Sequence, residues 1–469
     1  MDPDFSASAQ APADVQGRVS NLLVTLSRAP MTTSASRFAF LAFLATTAPI
    51  AAGQRPAMDS LESHVDALIK PEAAAGRFSG IVLIARGDRV ILRRAYGFED
   101  WERRVPNSAA TRFNIGSITK LMTEAVVDMM VRDGRIDLAA PVASFISGFP
   151  DGPKGGRATV RDLVTHRAGV PHRVTTELEE TEHVTPADIV ERVKSKGLLF
   201  EPGSAELYSS AGFTCLARIV EIVEKKPFDS VLAERLFRPA RMASATDETG
   251  QQLMPNRALP FILQGGPVTV SVVSAPYKDL TFLTGAGSVY ATAEDVLHFV
   301  RTLHVGAFGD VARRLLLTNP SDTTWTPWYG RVNGYEGSVD YLPARDLTVV
   351  FLSNLQSAAN WQIRQRLLKL ALGRRISALA AVPPVGPRFE DPAQFFGRYG
   401  DPVDPVIVAE KDGRLYRDES EFYPIGGGQY YVPVSGAIMH FARDPNGKVS
   451  AMVTRFGTSP ERSAAKIGG

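Results

Sequence analysis

The sequence contains a single cysteine, Cys215, among 469 residues. One cysteine excludes an intramolecular disulfide and any zinc or iron–sulfur site that is built on several thiolates. The seven histidines include no H-E-x-x-H pair, and no metal or other cofactor is predicted. An excess of one charge is also missing, because 52 Lys and Arg stand against 50 Asp and Glu, and this argues against a nucleic-acid partner. Hydrophobic residues make up 44% of the chain and charged residues 22%, which is the usage of an ordinary folded protein.

Long hydrophobic runs are scarce, and the most apolar one lies near the N-terminus. It covers residues 38–45, follows Arg37 and precedes a series of small residues. This is the layout of a secretory signal, and the run is too short for a bilayer span, which needs about 20 apolar residues. We therefore predict a doubtful extension at 1–30, a signal peptide at 31–53, and a periplasmic or secreted protein with no membrane span once the signal is removed. The alternative is that residues 38–50 form an ordinary core helix.

The pattern over residues 57–378 indicates one mixed domain. Two β-rich runs, at 80–85 and 90–92, flank a turn, and two more, at 339–342 and 347–352, flank another turn. Hairpins at both ends with helices between them indicate an antiparallel sheet flanked by helices, the α+β class, rather than a parallel βαβ series. Apolar residues at helical spacing predict helices at residues 61–74, 121–132, 186–196, 212–225 and 294–303.

The pattern changes after a proline-rich stretch at residues 383–387, which is the best domain boundary in the chain. Short alternating segments follow, separated by Gly and Asp turns, and Asn446-Gly447 is a strong hairpin signal. We predict a small all-β domain at 388–469. It either packs on the larger domain or serves as a spacer.

A candidate catalytic pair, Ser117 and Lys120, precedes the helix predicted at 121–132. The i, i+3 spacing places both side chains on one face at the start of that helix. Backbone N–H groups are uncommitted there and the helix dipole is positive, which suits a serine nucleophile with a basic neighbour and an oxyanion donor. The S-x-x-K pattern alone is weak, because it recurs at Ser463 and Lys466 and usually marks an N-capping serine beside a solvated lysine.

Four further segments follow this pair. They are residues 162–170, Tyr208-Ser209-Ser210, the Gly-Ala-Gly-Ser of 285–288, and Trp328-Tyr329-Gly330. In this order and spacing the chain resembles the serine β-lactamase superfamily over roughly residues 60–375. Within it, the likeness is to class C β-lactamases, D,D-peptidases and family VIII carboxylesterases.

The resemblance implies a β-lactamase/transpeptidase-like fold, in which a mostly helical lobe accompanies the sheet, and it implies roles for individual residues. Ser117 would be acylated, Lys120 would hydrogen-bond it and share its proton, and Tyr208 would act as the general base. The N–H groups of Ser117 and Arg331 would form the oxyanion hole. Gly330 would let the substrate acyl group approach the strand backbone.

Two positions depart from that pattern. The second motif is usually Tyr-x-Asn, but Ser210 stands in place of the Asn and offers a substrate amide fewer hydrogen-bonding groups and a shorter reach. The third motif usually begins with Lys or His, which helps to hold a substrate carboxylate, but Trp328 has only one neutral donor. Arg331, three residues on, is expected to point to the opposite face of the strand. Both departures favour neutral acyl esters, and a Trp-x-Gly third motif is also typical of several of the family's esterases.

The leading hypothesis is a serine hydrolase that forms an acyl-enzyme at Ser117 and hydrolyses short acyl esters. No serine lies in a G-x-S-x-G elbow, so an α/β-hydrolase triad has no support, and His166 is expected to be structural. One alternative is a β-lactamase, D,D-carboxypeptidase or D-aminopeptidase, and another is a penicillin-binding sensor that acylates with little turnover. In each case the partner is a small-molecule ester, amide or β-lactam, and the oligomeric state stays open.

Overall fold

The structure is a computed structural model of the chain. It describes residues 56–250, 253–264, 271–306, 308, 326–379, 383–386, 391–400, 405–411, 413–418, 420–433, 435–456 and 460–467. The extension predicted at 1–30 and the signal peptide predicted at 31–53 lie outside these residues. Within them, no helix has both the length and the apolar character that a membrane crossing requires.

The regular elements of the described residues are numbered in chain order. The helices are α1 (Pro56–Ala74), α2 (Thr119–Arg132), α3 (Val160–Val164), α4 (Pro186–Lys196), α5 (Ser210–Glu224), α6 (Phe228–Leu232), α7 (Ala293–His304) and α8 (Ala358–Ala371). The strands of the larger domain are β1 (Gly80–Arg86), β2 (Arg89–Tyr96), β3 (Phe98–Asp100), β4 (Val105–Pro106), β5 (Phe113–Asn114), β6 (Thr246–Asp247), β7 (Phe261–Gln264), β8 (Ser271–Ser274), β9 (Val289–Ala291), β10 (Thr326–Val332), β11 (Tyr335–Leu342), β12 (Leu347–Ser353) and β13 (Leu355–Gln356). The strands of the C-terminal domain are β14 (Gly397–Gly400), β15 (Pro405–Lys411), β16 (Arg414–Arg417), β17 (Ser420–Gly426), β18 (Gln429–Val432), β19 (Ala437–Arg443), β20 (Val449–Phe456) and β21 (Arg462–Ile467).

The larger domain is built on a five-stranded antiparallel sheet in the order β10-β11-β12-β1-β2. β1 pairs with β12, so the hairpins predicted at the two ends of the domain meet in one sheet. Strand β12 is buried along its whole length and β1 along all but its last residue, in keeping with their continuous apolar sequences. The prediction of the α+β class with an antiparallel sheet is confirmed.

Helices cover both faces of this sheet. Side chains of a strand alternate between faces, and β1 shows the division: Val82 and Ile84 pack with α1 and α8, whereas Ile81 and Leu83 pack with the helical lobe that contains α2 and α5. The edge strand β10 packs against the single 3-10 turn Gly116–Ile118 that precedes α2. The candidate active site lies at this junction.

Strands β14 to β21 form a closed antiparallel barrel in which β14 also pairs with β21. Aromatic rings fill its interior, for example Phe395 against Tyr430 at a centroid distance of 5.7 Å. The barrel contacts the larger domain at the start of α8, where the Ala358 N–H donates to the Pro433 carbonyl at 2.9 Å. The all-β prediction for this region is confirmed. Its closure was not predicted, because the pairing of first and last strands is a long-range property with no local signal.

Candidate active site

Ser117 lies in the 3-10 turn that leads directly into α2. The turn depends on Gly116, whose φ of +53° falls in the region that favours glycine. The Gly116 N–H donates to Oδ1 of Asn114 at 2.8 Å. A Cβ at Gly116 would also lie 2.6 Å from the backbone nitrogen of Arg331, so the turn leaves no room for a side chain toward β10. Backbone geometry therefore fixes the serine between α2 and β10.

Lys120 lies one helical turn after the serine and is 5% exposed. Its ammonium has an acceptor for each of its three protons. These are Oγ of Ser117 at 3.3 Å, Oγ of Ser210 at 3.3 Å and the carbonyl oxygen of Ala286 at 2.8 Å. Burial of a charged amine costs free energy unless the amine is fully hydrogen-bonded, and these three bonds hold Lys120 beside the serine.

Tyr208 is the third member of this group, and it lies immediately before Ser209, the N-cap residue of α5. Its hydroxyl donates to Oγ of Ser117 at 2.7 Å. The Nζ of Lys120 lies 4.7 Å from the centroid of the tyrosine ring. The serine oxygen is thus within hydrogen-bond reach of both a phenol and an amine, which is the geometry that proton transfer requires.

Two histidines position the segment that carries Tyr208. Nδ1 of His166 accepts from the Ser209 N–H at 3.1 Å, and Nδ1 of His172 accepts from the Ser210 N–H at 3.2 Å. The His166 ring lies 4.6 Å from the Tyr208 ring, centroid to centroid, and the His172 ring 5.3 Å. Burial, with the nearby charge of Lys120, lowers the pKa of each imidazole to about 3. Both rings are therefore neutral acceptors at neutral pH, which fits a structural role for His166.

The backbone of the α2 turn lies directly against the backbone of β10. Among the described residues, strand β10 lies at the edge of the sheet and pairs with β11, which leaves its other backbone edge to the turn. A Cβ at Gly330 would lie 2.0 Å from the carbonyl oxygen of Ile115 and 2.7 Å from the nitrogen of Ser117. These close approaches bring the N–H groups of Ser117 and Arg331 together beside the serine side chain. Two backbone N–H groups this close to a nucleophile are candidates for the donors of an oxyanion hole.

The side chains of the third motif divide between the two faces of β10. Trp328 is 9% exposed and packs in the core that the sheet shares with the helical lobe. Arg331 pairs across the strands with Glu336, and its Nη2 lies 3.4 Å from Oε1 of Gln356. The carboxylate of Glu336 accepts from Nδ2 of Asn360 at 2.8 Å. Arg331 thus belongs to a polar cluster behind β10 and does not stand in for a cation at the Trp328 position.

Three contributors to this geometry had no role in the sequence analysis. His172 had no signal beyond its nearness to the second motif. The Ala286 carbonyl belongs to the Gly-Ala-Gly-Ser segment noted there, but a backbone oxygen leaves no trace in residue type. Gln356 and Arg331 are 25 residues apart in the sequence and come into contact when the chain folds. Among the described residues, no cluster of three or more His, Cys, Asp or Glu could hold a metal ion.

Comparison with known proteins identifies the family. The beta-lactamase family model matches residues 65–372. The chain belongs to the beta-lactamase family. It is 24% identical over 306 residues to the putative penicillin-binding protein PbpX of Bacillus subtilis (strain 168), which is 62% of this chain and 75% of that protein. It is 24% identical over 244 residues to protein flp of Staphylococcus aureus (strain MW2), where the match spans 51% of this chain and only 48% of that relative.

Solved structures share the fold of this beta-lactamase family protein. SurE superposes with a TM-score of 0.58 at 21% identity and covers 88% of this chain and 100% of its own. An alignment over 88% of the chain is longer than residues 65–372, even with every residue before them added, so the likeness to SurE extends into the barrel. EstCE1, described as a hydrolase with promiscuous acyltransferase activity, has a TM-score of 0.55 at 21% identity and covers 66% of this chain and 99% of its own.

Members of this beta-lactamase fold family are serine hydrolases that act on small amide, ester or β-lactam substrates. The site of this chain has the parts that such chemistry needs. A serine oxygen lies between a phenol and an amine, the backbone nitrogens of Ser117 and Arg331 lie close by, and the neutral histidines hold the second motif in place.

Proposed function

We propose that this beta-lactamase family protein is a serine hydrolase of esterase type, which forms an acyl-enzyme at Ser117 and hydrolyses short acyl esters. The observation that carries the proposal is the position of Oγ of Ser117, 2.7 Å from the Tyr208 hydroxyl and 3.3 Å from Nζ of Lys120. A serine hydroxyl is a weak nucleophile without an adjacent base, and here two candidate bases are in contact with it.

At rest the Tyr208 hydroxyl donates to Ser117, so for acylation it must first lose this proton to solvent. Oγ of Ser117 then attacks the ester carbonyl carbon while its own proton passes to the Tyr208 phenolate. The positive charge of Lys120 stabilises the negative charge that moves between these two oxygens. The N–H groups of Ser117 and Arg331 hold the oxyanion of the tetrahedral intermediate. The alcohol then leaves with the proton that Tyr208 returns, and a water molecule reverses the sequence to release the acid.

The preference for neutral esters rests on the two departures from the family pattern. Trp328 contributes no positive charge where a substrate carboxylate is usually held, and the Arg331 guanidinium lies on the other face of β10 beside Gln356. The Ser210 hydroxyl oxygen already accepts a hydrogen bond from Lys120, so it has less capacity to bind a substrate amide. Both features favour a small acyl ester over a peptide or a β-lactam.

The second candidate is a penicillin-reactive enzyme or sensor. The observation that favours it is the likeness to the putative penicillin-binding protein PbpX across 75% of that protein's length. Such a protein would turn over nitrocefin or a D-Ala-D-Ala peptide faster than an ester, or would keep a long-lived penicillin adduct.

The test is intact-mass spectrometry after exposure to a fluorophosphonate and, separately, to benzylpenicillin, together with steady-state rates on p-nitrophenyl acetate and butyrate. The variants are Ser117→Ala and Ser463→Ala, because Ser463 lies in the other S-x-x-K sequence, on β21 of the barrel. Labelling and ester turnover lost only in Ser117→Ala support the proposal. Full activity in Ser117→Ala would refute it, and a stable penicillin adduct with negligible ester turnover would favour the second candidate.

We also propose that the protein is exported, on the basis of the signal-like sequence at 31–53. Expression of the full chain in a bacterial host, followed by N-terminal sequencing of the periplasmic fraction, tests this. A mature N-terminus near residue 53 supports export. Recovery of uncleaved protein in the cytoplasm contradicts it.

A further inference from the structure

Helix α2 carries an acidic side chain one turn behind Lys120. Glu124 and Asp128 follow Lys120 at intervals of four residues, so the three side chains share one face of the helix. Helical side chains slope toward the N-terminus of their helix, which directs the Glu124 carboxyl toward the turn of Lys120. Oε2 of Glu124 is shielded from solvent and has no hydrogen-bond partner among the described residues.

The charged groups that act on the Glu124 carboxyl are those of Lys120 and Asp128. Burial, together with the Asp128 charge, raises the pKa of Glu124 to about 8 against the opposing effect of the Lys120 charge. α2 packs against α5, α6 and the turn of residues 233–237. Charged groups on these elements are bonded elsewhere: Arg218 to Glu221, Glu224 to Arg135 and Arg235, Glu234 to Lys226, and Asp229 to the Ser230 backbone nitrogen.

On the other side, Lys120 faces only neutral partners in the site. The three acceptors of its ammonium are two hydroxyl oxygens and a carbonyl oxygen, with no carboxylate among them. His166 and His172 face Lys120 as neutral rings. Within the described residues, Glu124 is therefore the acid one turn away that can offset the charge of Lys120.

We propose that Glu124 is a positioning residue for the reaction at Ser117: by holding or releasing a proton, it sets how strongly the positive charge of Lys120 acts on Ser117 and Tyr208. The inference rests on the proposed function. With the Glu124 carboxyl protonated, the field of Lys120 is unopposed and stabilises negative charge on the two oxygens. With the carboxyl ionised, its charge offsets that field, and acylation slows.

The experiment is the pH profile of kcat/KM for p-nitrophenyl acetate in the full chain, in Glu124→Gln and in Asp128→Asn, with Glu234→Gln as a control on a surface acid paired with Lys226. In the parent protein we expect a decline of about three- to tenfold across an inflection near pH 8. Glu124→Gln should lose this inflection. Asp128→Asn should move it to lower pH, because it removes a charge that opposes ionisation of Glu124. A purely structural role would alter neither position.

The outcome separates this inference from the proposed function. If Ser117→Ala keeps its esterase activity, the proposed function fails. If turnover depends on Ser117 but the Glu124→Gln and Asp128→Asn profiles superimpose on that of the parent, only the role of Glu124 fails. Fluorophosphonate labelling at pH 7 reports whether each variant is folded. Should Glu124→Gln fail to fold, the Asp128→Asn profile decides alone, since an unmoved inflection contradicts the inference.

Discussion

Gly330 lies so close to Ser117 that a Cβ built on the glycine would come within 2.7 Å of the serine nitrogen. The same Cβ would lie 2.0 Å from the carbonyl oxygen of Ile115. Both atoms belong to backbone, so no side-chain rotation can relieve the contact. Strand β10 and the turn before α2 can therefore lie this close together only while residue 330 has no side chain.

The first prediction follows from this contact. Gly330→Ala should force β10 away from the α2 turn, separate the N–H groups of Ser117 and Arg331, and lower kcat for esters by at least about 100-fold. The matched control is Gly337→Ala, directly across the strands, where the nearest atom to a new Cβ is Cδ2 of Leu352 at 3.1 Å. Steady-state kinetics with circular dichroism distinguish a site defect from unfolding. Equal losses in both variants would contradict this account.

The second prediction concerns the base. Tyr208→Phe removes the hydroxyl that donates to Ser117 at 2.7 Å and leaves the ring packed against His166 and His172. We expect kcat/KM to fall by about 10²- to 10⁴-fold with little change in thermal stability. Tyr96→Phe serves as control, because that hydroxyl bonds Asp66 on the α1 side of the sheet. Near-normal turnover in Tyr208→Phe would contradict this prediction and would indicate that Lys120 is the base instead.

Much of this architecture could be predicted from local sequence, and the reasons are physical. Apolar periodicity indicated the helices and strands, and the spacing and chemistry of Ser117 and Lys120 indicated a catalytic pair. The resemblance to the serine β-lactamase superfamily added Tyr208 to this pair. The closure of the barrel and the contact between Arg331 and Gln356 join residues far apart in the chain, and neither has a local pattern. The acceptor role of Ala286 is a backbone property and is invisible in residue type.

The third prediction is a loss of stability in mild acid. His166 and His172 have a pKa of about 3 in the folded protein, whereas unfolded histidine titrates at about 6.5. Between these values the unfolded chain binds more protons than the folded one, so stability is lost as the pH falls from about 6.5 toward 3. The loss at pH 5 should be on the order of 2 kcal/mol for each histidine.

Urea denaturation at pH 7 and pH 5 measures this loss. His172→Asn keeps a side-chain acceptor for the Ser210 N–H and removes one imidazole, so its midpoint should fall less between the two pH values than that of the parent protein. His440→Asn, on barrel strand β19, is the control. A parent protein with the same midpoint at both pH values would show that the two histidines do not control acid stability.

The fourth prediction tests the choice of substrate. Trp328 occupies the position where the family usually has Lys or His, so Trp328→His should restore an imidazole toward the substrate side of β10. We expect the ratio of benzylpenicillin acylation to p-nitrophenyl butyrate turnover to rise by about tenfold, the value of one added charged hydrogen bond. Trp361→His, at a partly exposed position on α8, controls for a new histidine elsewhere. An unchanged ratio would mean that residue 328 does not select the substrate.

The last prediction concerns the support behind the oxyanion strand. Oε1 of Gln356 lies 3.4 Å from Nη2 of Arg331 on β10, and Nε2 of Gln356 lies 3.4 Å from the carbonyl oxygen of Tyr335 on β11. The Gln356 side chain therefore links the two strands. Two residues later, the Ala358 N–H bonds the barrel at Pro433, so the same short segment joins the oxyanion strand to the C-terminal domain.

Gln356→Ala should loosen Arg331 without touching substrate, and we therefore expect kcat to fall about three- to tenfold while KM stays constant. Gln365→Ala, on α8, is the matched control because it removes the same amide group from a partly buried position. If the barrel supports the strand through this segment, Tyr431→Ala, which removes a ring packed on Ala358, should lower kcat in the same direction. Normal kcat in Tyr431→Ala, with the barrel still folded, would make the C-terminal domain a spacer rather than a support for the site.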